Sequence, residues 1–114
     1  PAGDQFLKCS RSLGDRSYKV GEPSAHLIPA EPDLFPVPLV GGEDFCVLAS
    51  DGVWELLSSQ TVVDIVENVK SLDPNEICDQ IIDQSSYMWK VEEGDYRDDI
   101  TVVVLTFPWL DSYD

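Results

Sequence analysis

Two places in this sequence put acids where a fixed carboxylate can do chemistry. Asp51 follows the run Phe45-Cys46-Val47-Leu48-Ala49-Ser50, and Asp98-Asp99 precede Ile100-Thr101-Val102-Val103-Val104-Leu105. A carboxylate at the end of an apolar strand is carried on stiff backbone and can still face a cleft. If the two strands are antiparallel neighbours, the end of one lies beside the start of the other, and Asp51 meets Asp98. Two carboxylates so placed repel each other unless a cation lies between them. Hard divalent ions such as Mg²⁺ and Mn²⁺ prefer carboxylate and water oxygens, and water on such an ion is a nucleophile near neutral pH. The residue types therefore suit metal-assisted hydrolysis. They equally suit plain capping, with Asp98 and Asp99 closing a turn and Asp51 bonding the backbone that follows it. Gly52, directly after Asp51, is expected to turn the chain by adopting φ > 0.

The elements that must position these acids are readable from periodicity. The charge-free run 45–49 predicts a buried strand entered from Gly41-Gly42. Residues 100–107 predict a second strand, buried on both faces because its apolar run is continuous and mostly β-branched, with Pro108 as its stop. Between them, 53–57 predicts a short helical turn, and Ser58 or Ser59 can cap a helix over 60–70. Val62, Ile65, Val66 and Val69 form one stripe of that helix. Asp73-Pro74-Asn75-Glu76 combines a cap acid, proline at the first helical position and a capping-box glutamate. It predicts a helix over 74–89 that presents Ile77, Cys78, Ile81, Ile82, Ser85 and Trp89 inward. Upstream, 6–9 reads as a short strand, and 16–31 as an irregular segment punctuated by Gly21, Pro23 and Pro29. Residues 34–40, with Pro36 and Pro38, read as an edge strand in a hairpin over 34–50. In Ser10-Arg11-Ser12-Leu13-Gly14-Asp15, Arg11 and Asp15 are expected to pair or to brace the loop.

Composition narrows the function classes. A length of 114 residues suits one domain, and 43% hydrophobic residues can fill a core. Seven Lys and Arg against 22 Asp and Glu give a net charge of −15. That disfavours nucleic acid, whose binding rests on cations that neutralise phosphates, and it disfavours anionic membranes. No apolar run approaches a membrane span, and no basic-then-apolar leader is present. Cys9, Cys46 and Cys78 are odd in number with no C-x-x-C, which predicts free thiols and an intracellular setting, cytoplasmic or nuclear. His26 is the one histidine, in a proline-flanked loop, so a serine or cysteine nucleophile system is disfavoured.

Three motifs then occur in order: Ser10 to Asp15, Ala49-Ser50-Asp51-Gly52-Val53-Trp54, and Asp98-Asp99-Ile100-Thr101-Val102-Val103-Val104. With two helices between the second and third, the chain resembles the C-terminal half of the metal-dependent serine/threonine protein phosphatases of type 2C. The resemblance implies an α+β fold: a partial β-sandwich of mostly antiparallel strands flanked by two helices, half of a four-layer αββα domain. On that basis residues 1–114 are the C-terminal portion of a catalytic domain whose N-terminal half is absent. It implies that Asp51 and Asp98 ligate Mg²⁺ or Mn²⁺ in what is, in the complete domain, a two-metal centre. Gly52, Asp99, Arg11 and Asp15 are implied as supporting or nearby residues, with Asp99 standing where the family often has Asn. Residues 16–31 take the place of the flap that borders the substrate cleft.

The implied reaction is hydrolysis of phosphoserine and phosphothreonine in proteins by metal-activated water. The implied partners are phosphorylated proteins, with no nucleic acid and no membrane insertion. The family's upstream Glu, its Asp-Gly-His-Gly motif and its phosphate-gripping Arg do not occur here. The chain is therefore expected to be a piece of a larger phosphatase, inactive by itself and prone to self-association. The alternatives are a pseudophosphatase, or an acidic protein-binding module that keeps the fold without catalysis.

Overall fold

The structure is a computed structural model that describes residues 7–69 and 73–107. It divides into two compact units, Pro1–Pro38 and Leu39–Asp114.

In the first unit the described residues form two single-turn 3-10 helices, Arg16–Tyr18 and Pro23–Ala25, and no strand. The strand expected over 6–9 is absent from its described part. Polar anchors hold the loops. Lys19 Nζ donates to Ser12 O at 2.7 Å and to Ser12 Oγ at 2.9 Å, and also reaches Gly14 O. Arg11 Nε donates to Glu31 O at 3.0 Å, and its Nη2 pairs with Asp33 Oδ1 at 3.3 Å. Arg11 thus braces the loop through Glu31 and Asp33 rather than through the expected partner Asp15. Asp15 instead takes a left-handed conformation, φ 50°, at the head of the first 3-10 turn.

The hairpin expected over 34–50 does not form. No strand occurs in 34–40, and Leu34, Phe35, Val37 and Val40 are each more than three-quarters exposed. Pro36 and Pro38 remove alternate N–H donors, which leaves this stretch nothing to pair with along one edge.

The second unit holds the sheet and the helices. Strand β1 (Phe45–Ala49) and strand β2 (Val102–Thr106) pair antiparallel, from Phe45 opposite Thr106 to Ala49 opposite Val102. Helix α1 (Asp51–Trp54) begins as soon as β1 ends. Helix α2 (Ser59–Asn68) is capped by Ser58, whose Oγ accepts from Thr61 N at 3.1 Å. Lys70, the last residue of its expected range, lies outside the described ones. Helix α3 (Pro74–Glu93) is capped by Asp73, whose carboxylate accepts from Asn75 N at 2.9 Å. It runs four residues past the Trp89 expected from periodicity and stops at Gly94, whose φ of 68° a side chain would resist.

The core joins Val53 of α1, Leu57 of the turn that follows it, Val62 and Val66 of α2, Ile77 and Ile81 of α3, and Val104 of β2. Full burial of a Val or Ile side chain contributes about 1.5–3 kcal/mol, and Val53, Ile77 and Ile81 reach zero exposure. The valine stripe of α2 docks here, with Val62 and Val66 buried and Ile65 and Val69 packed at the margin. The sheet contributes one face: Phe45, Val47, Ala49, Val102 and Val104 point to the helices. Its other face is open, with Leu48 at 56%, Val103 at 49% and Leu105 at 45% exposed. The expectation of a β2 buried on both faces therefore fails for the described residues. Likewise β1 is half-buried rather than buried.

Candidate metal centre

Ser50 joins the two segments that carry the acids. Its N–H donates to Thr101 O at 3.0 Å, which extends the β1–β2 ladder by one step. Its Oγ donates to Asp99 O at 3.1 Å and accepts from Thr101 N at 3.0 Å. One small side chain thus satisfies two backbone groups of the opposite segment and fixes residues 99–101 beside the head of α1. Ser50 is also the N-cap of α1, yet its hydroxyl makes no cap bond, being engaged across the sheet.

Asp51 is the first residue of α1, a position where helix N–H groups favour a carboxylate. Glu55 follows one turn later, its N–H donating to Asp51 O at 2.9 Å. Residues at i and i+4 share a helical face. Asp98 arrives from the other segment, its Oδ1 accepting from Asp99 N at 2.8 Å. One carboxylate oxygen from each of Asp51, Glu55 and Asp98 lies within 4.8 Å of the other two. Asp51 and Glu55 are exposed and Asp98 is half-buried.

The donor set suits a hard cation. It is entirely carboxylate oxygen, with no thiolate or imidazole, and its exposure leaves room for waters. Oxygens on one ion at about 2.1 Å are at most about 4.2 Å apart, so these three need to converge only slightly.

Gly52 matters here for a reason other than the one expected. It does not adopt φ > 0; it is helical and buried. A Cβ on it would collide with the carbonyl oxygen of Asp99 and lie 3.0 Å from the Asp99 carbonyl carbon and 3.2 Å from Ile100 Cγ1. Glycine therefore allows the Asp98-Asp99 backbone to approach α1. Two tryptophans tie down the same corner. Trp89 of α3 donates from Nε1 to Gly52 O at 2.7 Å, and Trp54 donates to Ala49 O at 3.0 Å.

Of the residues singled out from sequence, Asp51 and Asp98 are brought together, and Gly52 and the Asp99 backbone form the packing between them. The Asp99 side chain is exposed and is not one of the three clustered acids. Arg11 and Asp15 belong to the first unit. Glu55 was missed. Its signal was the Asp-x-x-x-Glu spacing, visible only if the helix starts at Asp51 rather than at Val53.

Among protein families, the model of Protein phosphatase 2C matches residues 4–92. The chain belongs to the protein phosphatase 2C family. It is 31% identical over 106 residues to "Probable protein phosphatase 2C 11" of Oryza sativa subsp. japonica, covering 89% of this chain and 29% of that protein. It is 30% identical over 112 residues to "Protein phosphatase 1G" of Homo sapiens, covering 89% of this chain and 20% of that protein. A further rice relative, "Probable protein phosphatase 2C 62", is 32% identical over 109 residues, 94% of this chain and 32% of that protein. The chain thus spans a fifth to a third of the length of these relatives. The phosphatase 2C family match ends before Asp98, so Asp98 is tied to Asp51 by the strand register and the Ser50 bonds rather than by that match.

Proposed function

We propose that the protein carrying this chain hydrolyses phosphoserine and phosphothreonine in proteins, with a divalent cation, Mg²⁺ or Mn²⁺, held in part by Asp51, Glu55 and Asp98. The observation that carries this reading is the convergence of three carboxylates from two segments in a phosphatase 2C chain. When bound, such an ion supplies Lewis acidity toward a phosphoryl oxygen and a means of activating water near neutral pH. The chain's own residues contribute placement. Ser50 holds the two acid-bearing segments in register, and Gly52 lets them touch. Asp51 and Glu55, one helical turn apart, present two oxygens on one side, and Asp98 closes from the other.

On this reading residues 1–114 are the C-terminal portion of a catalytic domain, and the remaining ligands and the phosphate-binding cation lie elsewhere in the protein. The three free cysteines suit an intracellular setting. No helix among the described residues is long and apolar enough to cross a membrane.

The test is turnover of a phosphothreonine peptide by the full-length protein with millimolar Mn²⁺. Asp51→Asn and Asp98→Asn are each expected to abolish it, and the 114-residue chain by itself is expected to show little. Turnover that survives both substitutions would overturn the assignment.

A further inference from the structure

Among its described residues the second unit is strongly one-signed, and its two cations lie together. Its described residues contain fifteen Asp and Glu but only two cations, Lys90 and Arg97. Both line the same open cavity, of about 590 Å³. Helix α3 gives it Ser86, Tyr87 and Lys90, and the turn after Gly94 gives it Asp95, Tyr96 and Arg97. Neither cation forms a salt bridge among the described residues, despite the surplus of acids. Among the described residues Arg97 makes one side-chain bond, 3.4 Å from Nη1 to Ser86 Oγ. Lys90 sits in the last turn of α3, where the helix end favours a cation, but that does not account for Arg97 facing the same space.

The cavity wall is anchored. Tyr96 packs edge-on against Trp89, with ring centroids 5.8 Å apart and planes at 73°. Trp89 in turn donates to Gly52 O, beside Asp51. The cavity also adjoins the carboxylate cluster in sequence: Arg97 immediately precedes Asp98.

We propose that this cavity is a subsite for an acidic side chain of the peptide substrate, one flanking the phosphorylated residue. The inference rests on the proposed hydrolysis only for the identity of the peptide as substrate. A peptide with its phosphorylated residue at the Asp51–Glu55–Asp98 cluster covers roughly 3.3–3.6 Å per extended residue. Arg97 and Asp98 are chain neighbours, about 3.8 Å apart at Cα, so a residue a few positions from the phosphorylated one is the one assigned to Lys90 and Arg97. Two cations and the hydroxyls of Ser86, Tyr87 and Tyr96 supply donors for a carboxylate or a second phosphate. Asp95 also lines the cavity, and its carboxylate works against a bound anion there, so both cations are needed to outweigh it. In a unit with this charge, an acidic peptide is otherwise repelled, so the sign of the effect is itself diagnostic.

The experiment uses the full-length protein in EDTA and a fluorescein-labelled ten-residue peptide with a central threonine and two glutamates three and four residues away, compared with its glutamine counterpart. Fluorescence anisotropy is expected to show the glutamate peptide binding more tightly, by about fivefold, the scale of two partly exposed ion pairs. Lys90→Gln, which leaves the residue next to Asp98 untouched, and the double change with Arg97→Gln are expected to remove the preference. Arg97→Lys is expected to retain most of it. Equal binding of the two peptides, or a preference indifferent to Lys90 and Arg97, overturns the proposal. So does inorganic phosphate saturating the protein while the two peptides do not differ, since the site would then serve a free ion. Because binding is read without metal or turnover, its failure leaves the proposed hydrolysis standing, and failed hydrolysis leaves this result standing.

Discussion

The carbonyl of Asp99 lies against Gly52 so closely that no side-chain carbon fits between them. That contact brings the segment carrying Asp98 up to the helical turn that carries Asp51 and ends at Glu55. Gly52→Ala is expected to push residues 98–100 away from α1. Neither partner can yield cheaply, because both are backbone and Gly52 O is also held by Trp89. Overpacking of this kind costs about 1–3 kcal/mol. Urea denaturation should show that loss, and a Mn²⁺ titration should show weaker binding by the folded fraction. Unchanged stability and unchanged Mn²⁺ affinity would mean that the two segments can separate freely.

Glu55 provides a cleaner probe of the cluster, because it is exposed and makes no core contact. Glu55→Gln keeps shape and removes one negative charge. The number of charged ligands tunes affinity for hard cations, and even outer-shell partners are worth about 10–100-fold. Mn²⁺ affinity of the full-length protein, measured by calorimetry, is expected to fall at least about tenfold, while the metal-free unfolding midpoint stays put. An unaltered affinity would reduce Glu55 to a solvated surface acid.

What was legible in the sequence was the part set by local chemistry. Two apolar runs, each with acids at the matching end, announced β1, β2 and the meeting of Asp51 with Asp98. Ser58 and Asp73-Pro74 announced the starts of α2 and α3. What was not legible depended on distant neighbours. Gly52 looks like a turn glycine, and only the position of Asp99 shows it to be a contact glycine; reading it as a turn started the helix too late and hid Glu55. The unbroken run Val102-Val103-Val104-Leu105 says that both faces are apolar, not that both are covered. Phe35 and Val37 look like strand residues, but a strand needs a partner, and the described residues offer none.

Ser85 sits at zero exposure on the inward stripe of α3, and its Oγ finds no hydrogen-bond partner among the described residues. A buried hydroxyl without a partner is destabilising by about 1–3 kcal/mol, and alanine is also the better helix former. Ser85→Ala is therefore expected to raise stability by about 1 kcal/mol, seen as a higher midpoint in urea. A lower midpoint would show that an enclosed water satisfies the hydroxyl. Activity of the full-length protein is expected to hold, because the change lies among Ile81 and Trp89 rather than at the acids.

The open face of the sheet bears on how the chain behaves by itself. Leu48 faces Val103 across the ladder and Cys46 faces Leu105, and together they make a contiguous apolar surface. Leu48, Val103 and Leu105 are each about half exposed. Removing such surface from water is worth roughly 25 cal/mol per Å², and larger apolar patches on soluble chains usually mark a contact. In a protein as long as the matched relatives, this face is expected to be covered by further chain. In the isolated 114-residue chain the readiest cover is a second copy, since a two-fold contact satisfies both faces at once. Light scattering from micromolar concentration upward is expected to show a monomer–dimer equilibrium. Leu48→Lys together with Val103→Lys should return the chain to a monomer without loss of helix signal, because both side chains point away from the core. A sharply melting monomer at every concentration would mean that the α2–α3 layer alone closes the fold and that the bare sheet face tolerates water.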